Sequence, residues 1–106
     1  VNLAECNAAA ERIRAAVPIE AGSATNDEVV RRLVLVAAEL AELGVEPEPK
    51  MLWRETKHAD GRTHGQWAHS LEAAALGCAM WWGVPVLDVR TLEPVAPPVV
   101  REVALW

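Results

Sequence analysis

The stretch KHADGRTHGQWAH, residues 57–69, lies where the alternating pattern of a strand gives way to a long apolar segment, and its reading decides the fold. Upstream, KMLWRETK alternates, with Met51, Trp53, Glu55 and Lys57 on one face and Leu52, Arg54 and Thr56 on the other, which predicts a strand. Asp60-Gly61 then supplies a turn. Thr63 followed three residues later by Gln66 has the spacing of a capping box, so the stretch predicts a helix from about His64 to Trp82, ended by Gly83. On that helix Trp67, Leu71, Ala74, Cys78 and Trp82 would form the buried stripe. The β-branched run VPVLDVRTL follows as a second strand. Strand, helix and strand over 50–92 have the length of a right-handed crossover, which predicts that these two strands run parallel.

Two helices precede this unit. Leu3, Cys6, Ala10, Ile13 and Val17 recur at helical spacing after Asn2, a capping residue, and Pro18 stops the run. Thr25 and Glu28 form a capping box before a second apolar segment that runs to Gly44. Its stripe is Val29, Leu33, Val36, Leu40 and Leu43, widened by Val30, Val34, Ala37 and Ala41 to more than half the circumference. Leu35 falls in the sector of Arg31, Arg32, Glu39 and Glu42, which leaves one leucine exposed or covered by a partner. The proline-rich VEPEP is a linker, and VVREVALW after EPVAPP is a last candidate strand. The expectation is one small α+β domain over 1–106. A helical part, 1–44, precedes a βαββ part, 50–106, that forms a small mixed sheet.

Composition narrows the function. A chain of 106 residues with 52% hydrophobic residues can fold around one core. No apolar run reaches the roughly 18–20 residues of a membrane span, and the opening VNLAECNAAAERIR lacks the basic-then-apolar order of a signal peptide, so the cytoplasm is the expected location. A net charge of −5 opposes nucleic-acid binding. Cys6 and Cys78 show no metal or redox spacing and are expected buried and reduced.

Residues 55–69 offer two candidate chemistries. His58, Asp60 and His64 could ligate a metal from one loop, yet they match no zinc spacing, and His64 and His69, five apart on a helix, would point about 140° apart. Glu55-Thr56-Lys57 resembles the (D/E)xK half of the PD-(D/E)xK nuclease motif over at most residues 50–92, with Gln66 near the start of the following helix. That resemblance implies Mg²⁺ held by Glu55, with Lys57 orienting the attacking water. The family's earlier acidic ligand has no counterpart except Glu46 or Glu48 on the linker. Without a complete site, the sequence favours a non-enzymatic protein with no cofactor: an accessory subunit, an inhibitor or a phage-like structural component, binding a protein partner or its own copies. Leu35, Trp81 and Trp106 are the candidate contacts, Trp53, Trp67 and Trp82 being assigned to the core. The alternative is a metal-dependent nuclease or hydrolase.

Overall fold

A computed structural model describes residues 1–93. The elements in order are α1 (Leu3–Ala16), α2 (Asn26–Glu42), β1 (Leu52–His58), β2 (Thr63–Ala68), α3 (Leu71–Trp82) and β3 (Val86–Thr91). The fold is α+β, with two N-terminal helices and a three-stranded sheet ordered β2-β1-β3. The candidate strand over residues 99–106 and Trp106 lie outside the described residues.

The helix starts follow the capping chemistry of the sequence. Asn2 accepts from the Glu5 backbone N–H at 3.1 Å, and Thr25 with Glu28 closes a full capping box on α2. The third helix starts later than the spacing of Thr63 and Gln66 predicts. Its N-cap is Ser70, whose Oγ accepts from Ala73 N at 2.9 Å, and residues 63–68 form the returning strand of a β1–β2 hairpin. The Asp60-Gly61 turn closes this hairpin: His58 N donates to Arg62 O at 2.8 Å, and Gly61 adopts φ +88°. Over THGQWA a period of two wins, because pairing with Leu52–Lys57 satisfies the backbone of both strands while Ser70 already caps the helix.

That extra strand also reverses the expected sheet direction. β1 pairs antiparallel with both β2 and β3, so the strands flanking α3 in the predicted crossover are corrected from parallel to antiparallel. A crossover does exist, but it leaves from β2: α3 carries the chain over β1 to β3, which therefore runs in the same direction as β2.

α3 is the centre of the core. Ala74 to Met80 are all buried, and their small side chains let α1 approach on one side, through Cys6, Ala9, Ala10 and Ile13, and the sheet on the other. α2 lies outermost, turned away from the orientation its stripe predicts. Leu35, Val36, Leu40 and Leu43 pack against the core, whereas Leu33 is 51% exposed and Arg32 is buried. Polar anchors fix this rotation. Arg32 Nε donates to Val17 O at 3.0 Å, and Arg12 grips Glu39 with two bonds, of 3.0 and 2.7 Å. This clamp lowers the Glu39 pKa, chiefly through its hydrogen bond from Arg12. Leu35 is therefore corrected from an exposed or partner-covered leucine to a core-packing one.

Candidate functional site

The sheet face against α3 is unusually polar. Alternation along β1 sends Arg54, Thr56 and His58 inward, where all three are buried, and β2 adds His64 and Gln66 from its own inward face. His58 Nδ1 donates to Val84 O at 2.9 Å, tying the end of β1 to the connection after α3. Thr56 Oγ1 donates to His64 O at 3.1 Å, and Cys78 Sγ lies 3.4 Å from Gln66 Oε1. Burial pushes the Cys78 thiol up, which opposes thiolate chemistry.

Two of the three candidate metal ligands meet in space. The His58 and His64 rings pack edge to face at 4.7 Å. His64 in turn stacks on Trp82 at 3.9 Å and 8°. Burial, followed by electrostatic repulsion from the neighbouring His58 and Arg62, lowers the His64 pKa and so favours its neutral ring. Asp60 stays on the exposed turn, accepting from Arg62 N at 3.0 Å and Arg62 Nε at 2.6 Å. Among the described residues no three His, Cys, Asp or Glu side chains gather as a ligand set. His69 turns to the linker, with Nδ1 donating to Glu48 O at 2.8 Å.

The nuclease-like residues are divided by the sheet. Glu55 and Lys57 share its open face, as their spacing predicts, but Gln66 points to the opposite face. Glu55 is 3.5 Å from Arg90, its cross-strand neighbour, and Lys57 sits opposite Asp88 in the register. Two opposite-charge pairs across adjacent strands stabilise a solvated face without needing a metal. Glu48, the linker carboxylate, binds buried Arg54 at 2.9 Å. Trp53 and Trp67 meet edge to face at 5.5 Å on this open face, and Trp67 is 51% exposed, which corrects its assignment to a buried helical stripe.

What remains is apolar surface. Trp82 is 50% exposed despite its stack on His64, and Trp81 lies with its ring 5.6 Å from the Arg32 guanidinium carbon. The larger feature is the outer face of α2, where Val30 is 57%, Leu33 51% and Val34 63% exposed, in line with exposed Ala37, Ala38 and Ala41. These six positions fall within an arc of about 140° at 100° per residue. Ala37 and Ala41 lead into a cleft of about 390 Å³ whose wall includes Leu40, Val45, Pro47 and Ala73. The sequence contains every one of these residues but not the rotation of α2 that exposes them. No protein family, curated protein or solved structure matches the chain.

Proposed function

We propose that this chain is a non-enzymatic interaction or assembly protein whose contact surface is the outer face of α2. One observation carries the reading: three large aliphatic side chains, Val30, Leu33 and Val34, stand more than half exposed in one row on a regular helix. Scattered exposed leucines are ordinary, but a continuous stripe at helical spacing is what a helix buries against a partner. Trp81 and Trp82 offer a second, smaller contact near the C-terminal end of α3. The acidic net charge of −5 suits a protein partner better than a polyanion. A cytoplasmic location belongs to the same proposal; among the described residues no helix is long and apolar enough to cross a membrane.

The test is the native mass of the tagged chain in its own cell extract. A complex heavier than the monomer is expected, and Leu33→Glu combined with Val34→Glu should dissolve it while leaving the far-ultraviolet circular dichroism unchanged. A chain that runs as a monomer in that extract, or whose complex ignores the double substitution, refutes the reading.

A further inference from the structure

Resting on that reading, we propose that the occupant of the α2 face is α2 of a second copy, packed antiparallel about a two-fold axis between residues 35 and 36. The size pattern of the exposed row supplies the argument. Its N-terminal half carries the large residues Val30, Leu33 and Val34, and its C-terminal half carries Ala37, Ala38 and Ala41. Antiparallel pairing about this axis sets Val30 opposite Ala41 and Val34 opposite Ala37 along the seam, and lays Leu33 beside Ala37 on one flank. Every large side chain then meets a small one, as close packing requires. The register also places seam positions 30 and 34, 37 and 41 at alternating spacings of four and three, the spacing of a helix–helix seam.

Parallel pairing would set each residue against itself. A helix separation set by the bulky halves would leave a gap between the alanines at the other end. Parallel pairing would also align the helix dipoles and bring the acidic first turns, with Asp27 and Glu28, side by side, whereas the antiparallel arrangement opposes the dipoles. The cleft beside Ala37 and Ala41 adds a second complementarity, because it lies at the small-residue end of α2, where Val30 and Leu33 of the second copy would project. α2 packs on α1 and α3 through its opposite side, so its outer face is open to a partner among the described residues. At 17 residues α2 is about 25 Å long, enough for this seam.

Sedimentation equilibrium of the purified full chain should give twice 11.5 kDa, and Leu33→Glu with Val34→Glu should return it to 11.5 kDa with its fold intact. Direction and register are read by cysteine cross-linking. Val30→Cys chains mixed with Ala41→Cys chains should form a mixed disulfide on mild oxidation. Val30→Cys alone should not, since the two copies of position 30 would stand about 16 Å apart along the axis, beyond disulfide reach. The native Cys6 and Cys78 are buried and do not confuse the result. Disulfide linkage of Val30→Cys to itself overturns the antiparallel arrangement. A purified chain that stays monomeric overturns the dimer. If the double glutamate substitution still removes a native partner from such a monomer, the interaction reading survives and only its occupant changes.

Discussion

Gly65 offers a test of the sheet in which one substitution should change sign with its background. A Cβ placed on Gly65 would lie 2.2 Å from Trp53 Cζ2 and within 2.9 Å of two further ring atoms. Carbon atoms in contact sit about 3.5–4.0 Å apart, so in Gly65→Ala the indole must retreat by more than about 1 Å. That movement sacrifices its edge contact with Trp67, worth about 0.5–1.5 kcal/mol, and pushes Trp53 off its rotamer at a similar cost. Against this, Ala in a strand interior gains about 0.5–1 kcal/mol over Gly. The backbone raises no further objection, because Gly65 is not among the glycines with positive φ. Gly65→Ala should therefore destabilise the protein by about 0.5–2 kcal/mol, or several degrees in Tm for a domain of this size. In a Trp53→Ala background the obstacle is gone, and the same substitution should stabilise by about 0.5–1 kcal/mol. Urea unfolding followed by circular dichroism across the four chains gives the cycle. Equal stabilisation in both backgrounds would show that the indole does not cover Gly65.

Two further outcomes follow from the hairpin and the histidine stack. Ser70→Ala removes the observed N-cap of α3 and should cost about 0.5–2 kcal/mol, whereas Thr63→Ala, on an exposed strand position, should stay within about 0.5 kcal/mol of wild type. Thermal melts that rank the two the other way would restore the helix start at residue 64. The lowered pKa of His64 means that the unfolded chain binds its proton more readily than the folded one. Stability contributed by neutral His64 is complete above the ordinary histidine pKa of about 6.5, and it declines as pH falls from there toward the lowered folded value. The urea midpoint should therefore drop between pH 7 and pH 5, and His64→Phe, which keeps a ring on Trp82, should flatten that slope. An identical slope in the variant would remove His64 as its source.

Much of the local structure could be read directly because its causes are local. Asn2, Thr25 with Glu28 and Gly83 mark helix ends through bonds or backbone angles spanning a few residues, and the structure shows each one in place. The alternation over residues 51–57 placed Glu55 and Lys57 on one face for the same reason. At residues 63–70 two local signals competed. The Thr63 and Gln66 spacing favoured a helix start, while the Asp60-Gly61 turn favoured a hairpin and a return strand. Only pairing with β1, which exists once the chain is folded, rewards the strand. The consequence reached the sheet, since one added strand turned the pairing of β1 and β3 antiparallel.

The candidate contact surface divides in the same way. By itself the sequence determined that the segment from Thr25 to Gly44 is a capped helix apolar over more than half its circumference and that both cysteines suit a core. Tertiary structure decided which part of α2 is left uncovered, because a helix apolar over more than half its circumference has no preferred rotation of its own. Arg32 at Val17 O and Arg12 at Glu39 choose that rotation, hold Leu35 against the core and leave Val30, Leu33 and Val34 in a row outside. Those anchors come from segments up to 27 residues away in the chain, so the pattern within α2 alone has no means of encoding the choice.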